Sequence, residues 1–77
     1  MSLSPRSMIG GLSPATGSPS VLEAAAVAML DKLDRTERAA LLDESRRVVN
    51  ARHETPEWRE AARALLWAAS SNPDLKP

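Results

Sequence analysis

The stretch Asn50–Glu60, NARHETPEWRE, decides how the second half of the chain folds. It holds the only histidine, His53, next to Glu54 and close to Glu57 and Glu60. For His53 and Glu57 to face one metal ion as an i, i+4 pair, residues 53–57 must be helical, with Pro56 inside that helix. Proline lacks the amide donor and clashes with the preceding turn, so a helix accepts it only in its first turn. Thr55-Pro56-Glu57 therefore reads as a helix start. Thr55 is the N-cap, Pro56 the first helical residue, and Glu57 and Glu60 lie near the positive end of the helix dipole. His53 falls in the connection between two helices. Without a second His, Cys or Asp at ligand spacing, it reads as a connector residue and not as a ligand or catalytic base.

Downstream of Pro56 the apolar residues Trp58, Ala61, Ala62, Leu65, Leu66 and Ala69 recur at three-to-four spacing, which predicts a helix over about 56–70. Ser71-Asn72-Pro73 ends it, leaving 72–77 as a short tail. At about 100° per residue, Trp67 points away from that stripe, on the side carrying Glu60, Arg63 and Ala64. An indole on a charged face is a typical interface anchor. Trp67, Arg63, Ala64 and Glu60 are the expected partner-binding residues.

Upstream, Asp34-Arg35-Thr36-Glu37 is a capping-box sequence placed directly after Leu33, so one helix ends and the next begins with almost no loop. That second helix spans about 35–52, with Leu41, Leu42, Ser45, Val48, Val49 and Arg52 on one side. Asp43 and Glu44 stand three or four residues before Arg46 and Arg47, for surface pairing. Ser20-Val21-Leu22-Glu23 offers another capping box and predicts a first helix over about 21–33, with Leu22, Ala26, Met29, Leu30 and Leu33 on its buried face. Residues 1–19 are rich in Ser, Pro and Gly, with scattered Leu3, Met8, Ile9 and Leu12. That composition predicts a flexible tail. Its proline and glycine breakers also argue against an amphipathic transit peptide.

The expected fold is all-α: a small three-helix bundle over 20–71 with a disordered N-terminal tail. The first two helices would form an antiparallel hairpin, with the third closing over it. Its core would be Leu22, Met29, Leu30, Leu33, Leu41, Leu42, Val48, Val49, Trp58, Leu65 and Leu66. At 77 residues the core is small, which makes association with a partner or a second copy worth expecting.

Composition narrows the function classes. Ten basic residues balance ten acidic ones, and the arginines of the second half alternate with carboxylates, which works against a phosphate-binding surface. The absence of cysteine removes disulfides and Cys-based zinc sites and is consistent with a cytoplasmic protein. The longest uncharged helical run, Ala24–Leu30, is far too short to span a bilayer. The sequence offers no Ser/His/Asp order and no phosphate-cradling glycine loop, and it names no small-molecule substrate, metal or cofactor. The expectation is a non-enzymatic protein–protein interaction module, an adaptor or regulator, docking a protein partner or forming a homodimer. The alternative is a small DNA-binding regulator of helix-turn-helix type, of the kind phages and plasmids encode. The tight junction at Asp34 suits it, but Glu57 and Glu60 at the start of a recognition helix would repel phosphate.

Overall fold

Three of the four helices begin with the same two-residue grammar, Ser or Thr followed by Pro. The computed structural model describes residues 4–15 and 17–76. Helix α1 runs Pro5–Leu12, α2 Pro19–Asp31, α3 Arg35–Asn50 and α4 Pro56–Ser71; single 3₁₀ turns follow at Ser13–Ala15 and Pro73–Leu75. Ser4 caps α1 by accepting from the Ser7 amide at 3.2 Å, and Thr55 caps α4 by accepting from the Trp58 amide at 3.4 Å. In both, proline occupies the first turn, where its missing donor costs nothing.

Helix α1 lies where a flexible tail is expected from the sequence, so the bundle has four helices. Gly10 and Gly11 each disfavour a helix by about 1 kcal/mol relative to alanine, and eight residues are too few for a helix to stand alone in water. Packing supplies what propensity lacks: Ile9 is 0% exposed and Leu12 3%, against α3 and α4. Leu3, the remaining apolar residue of that segment, lies outside the described residues.

Helix α2 starts two residues before the expected position. Ser18 is its N-cap and Pro19 its first residue, so Ser20 and Glu23 lie inside the helix and no capping box forms there. The fixed φ of proline, already suited to a first helical turn, sets the start in place of the Ser20 hydroxyl. The capping box at Asp34 is present. The Asp34 carboxylate accepts from the Glu37 amide at 2.8 Å, and the Glu37 carboxylate accepts from the Asp34 amide at 3.1 Å. Helix α3 ends at Asn50, and Arg52 lies beyond it, exposed.

The expected hairpin of the helices now labelled α2 and α3 is not the organising unit. Helix α4 is: it packs against α3, α2 and α1, while α2 and α3 touch little along their lengths and α1 packs into the space beside α3. The sequence of α4 explains its place. Ala61, Ala62, Ala64, Ala68 and Ala69 are buried around the single large core residue Leu65, so helices approach α4 closely on several sides. Leu22, Leu30, Leu41, Leu42, Val48 and Leu65 are core residues as expected, whereas Met29, Leu33, Val49, Trp58 and Leu66 are only partly buried at its edge. Ser45, fully buried in α3, donates its hydroxyl to the Leu41 carbonyl at 2.8 Å and leaves no unmet polar group.

Two polar ties close the periphery. Arg38 donates from Nε to the Leu30 carbonyl at 2.7 Å and from Nη1 to the Asp74 carbonyl at 3.0 Å, binding the end of α2 and the C-terminal turn to α3. That turn buries Leu75, 5% exposed, where a free tail is expected from Asn72 onward. At the other end, the Arg6 guanidinium bonds the Glu54 carboxylate and lies 4.8 Å above the Trp58 ring. The Glu54 side chain is only 7% exposed, whereas Arg6 is half exposed, so water screens the pair from the arginine side.

Candidate functional site

Helix α2 is apolar on two faces. Leu22, Ala26 and Leu30 form the buried stripe, and Val21, Ala24 and Ala28 recur at the same helical spacing on the outward side, all exposed. Along thirteen residues the helix carries only Glu23 and Asp31 as charges. A helix apolar all round belongs between other elements, yet α4 covers α2 along one side only and α1 touches it at the edge. Val21 is 56% exposed and Trp67 44%, and these are the large exposed hydrophobic residues among the described ones.

Trp67 borders this face from α4. The indole forms one wall of a groove of about 250 Å³ between the start of α2 and α4, completed by Pro19, Leu22, Glu23, Glu60, Arg63 and Ala64. It also borders the shallower channel along Ser20, Ala24, Val27, Ala28 and Asp31. On the far edge of α2, Met8, Leu12, Met29 and Leu33, with Lys32, flank a third, mainly apolar groove.

The four residues expected from the sequence to bind a partner thus line one groove. Their environments differ. Trp67, Arg63 and Glu60 are exposed, and Arg63 donates to the Glu60 carboxylate at 3.0 Å, one turn away on the same helix. Ala64 does not lie on a solvated charged face: it is 7% exposed and forms the groove floor, because α2 crosses α4 there. The α2 residues of the face are not among those the sequence points to. Their signal in the sequence is the run Val21–Leu30, nearly free of charge and longer than one buried stripe requires.

Three arginines of α3 and α4, Arg46, Arg47 and Arg63, pair with a carboxylate one turn earlier on the same helix. Arg46 pairs with Asp43 at 3.1 Å and Arg47 with Glu44 at 2.9 Å, the spacing expected from the sequence. Their guanidinium charge is offset locally, which leaves little field to draw a phosphate backbone. His53 sits in the α3–α4 connection, its side chain 85% exposed and Nε2 3.8 Å from Glu54. No group of three or more metal-ligating side chains occurs among the described residues, and no helix there is long and apolar enough to cross a membrane.

Comparison with known proteins finds no matching family model, no similar curated protein and no similar solved structure.

Proposed function

We propose that the chain is a non-enzymatic docking module that offers the outward face of α2, with Trp67 at its border, to a protein partner. The observation that carries this reading is the second apolar stripe of α2, Val21, Ala24 and Ala28, left uncovered beside an exposed indole. At 44% exposure, an indole side chain leaves roughly 90 Å² in water, worth about 2 kcal/mol once covered. That is the scale of an interface anchor, and a helix laid along α2 would cover Val21, Ala24 and Ala28 in the same step.

Photo-crosslinking in the cells that make the protein tests the reading. A photoreactive amino acid is placed at Ala24 in one variant and at Asp43, on the outer side of α3, in another. The expected result is a discrete crosslinked product from position 24 that is lost when Trp67→Ala is added, and none from position 43. Equal yields at both positions, or a product indifferent to Trp67→Ala, would remove the docking face from the proposal.

A further inference from the structure

The charges bordering the face narrow what can occupy it. Glu60 is compensated by Arg63, but Glu23 and Asp31 have no ion-pair partner among the described residues. Both line the channel that runs past Trp67, on one edge of α2. They are eight residues apart, which at a helical rise of 1.5 Å places them about 12 Å from each other along that edge. The apolar stripe is thus bordered on the Trp67 side by two unpaired negative charges two turns apart, and on the far side by the single positive charge of Lys32.

A second copy of the chain does not complement this edge. Two α2 helices paired antiparallel about a twofold axis place same-edge residues opposite each other, so Glu23 of one copy comes toward Asp31 of its partner. A parallel pairing turns the opposite edge of the partner's helix toward each carboxylate; that edge carries Lys32, which reaches the level of Asp31, and sets Glu23 against Ala25 and Met29. The first arrangement juxtaposes like charges, which is strongly unfavourable at an interface, and the second leaves Glu23 without a basic partner, so a second copy satisfies the two-charge edge in neither.

We infer that the natural occupant is an amphipathic helix of another protein, with an apolar stripe for Val21, Ala24, Ala28 and Trp67 and basic residues at two-turn spacing on one flank, facing Glu23 and Asp31. This rests on the docking reading above and names the partner's chemistry. An arginine on that flank gains a further contact, because Trp67 lies beside the same channel and presents a ring on which a guanidinium stacks.

The test uses the full chain with two synthetic helical peptides of 18 residues, each with a Leu/Ala stripe. One carries Lys, the other Glu, at two-turn spacing on its flank. Binding is followed by calorimetry and by the blue shift of Trp67 fluorescence. The expected result is that the Lys peptide binds at least tenfold tighter than the Glu peptide and weakens as salt is raised. The double variant Glu23→Lys/Asp31→Lys, whose changes are both at exposed positions, reverses the preference. Asp43→Lys on α3 leaves it unchanged. Equal binding of the two peptides, lost in Trp67→Ala, would overturn the basic partner and keep the docking face. A concentration-dependent dimer abolished by Trp67→Ala would overturn it in favour of a second copy. No Trp67-dependent binding of either peptide, with a monomer at all concentrations, would remove both readings.

Discussion

Adjacent glycines in α1 allow the seating of that helix to be tested with the smallest possible perturbation, one methyl group. A Cβ on Gly10 would stand 2.9 Å from Cζ2 and 3.1 Å from Cη2 of Trp58, whereas a Cβ on Gly11 meets nothing within 4 Å. Both glycines have helical backbone with negative φ, so alanine is compatible with the conformation at either position. Gly11→Ala should stabilise the protein by about 0.5–1 kcal/mol through propensity and the unfolded-state entropy. Gly10→Ala gains the same term and loses about 1–3 kcal/mol to overpacking. The indole cannot readily swing aside, because Arg6 lies over its face at 4.8 Å and is itself held by Glu54. The two variants should therefore differ by about 1–3 kcal/mol, with Gly11→Ala the more stable. At roughly 4–8 °C per kcal/mol for a domain of this size, thermal melts by circular dichroism resolve the difference. Combining Gly10→Ala with Trp58→Leu should relieve most of the penalty, a coupling that a double-mutant cycle measures. If Gly10→Ala proves as stable as Gly11→Ala, then α1 is not seated on Trp58, and the N-terminal segment is the loose tail its composition suggests.

The two tryptophans should separate folding from docking: Trp58→Ala costs about 2–3 kcal/mol in urea melts, less than a fully buried indole, while Trp67→Ala stays within about 0.5 kcal/mol of the parent. Arg38→Ala removes its bonds to the Leu30 carbonyl at the α2 end and to the Asp74 carbonyl in the C-terminal turn and should cost about 2 kcal/mol. Its particular mark is faster hydrogen exchange at the Leu75 and Lys76 amides, which are bonded within the C-terminal turn. Leu42→Asp buries an unpaired carboxylate where the leucine is 4% exposed and should abolish the cooperative melt; a retained melt would displace Leu42 from the core.

Helices α3 and α4 were legible because their ends are written in local chemistry: the Asp34–Glu37 box and Thr55-Pro56 fix a start whatever else the chain does. The outward position of Trp67 followed from helical periodicity alone. What periodicity could not give was the neighbour of each face. Alanine in α4 fits a buried contact and a solvated surface equally well, so periodicity sets Ala64 on the charged side although it is buried, and the small residues of α4 hide its central position. Helix α1 was obscured by Gly10 and Gly11, which lower local propensity yet, at Gly10, admit the Trp58 ring that a side chain would exclude. Its one local signal, Ser4-Pro5, matches the pairs at Ser18 and Thr55. The four groove residues named from the sequence all lie on α4; the α2 half of the face depended on knowing that α4 covers only one side of it.

The central place of α4 also sets a schedule for the growing polypeptide. Helices α2 and α3 precede it in the sequence and lie mainly against it, and α1 packs on both α3 and α4, so all three leave the ribosome before the packing surface that joins them exists. Helix α1 must wait longest, since the Arg6–Glu54 bond joins residues 48 apart. During that interval both apolar stripes of α2 are exposed, the one destined for the core and the one that stays outside. The nascent chain is then at its most adhesive, and chaperone engagement, if it occurs, should end as α4 emerges.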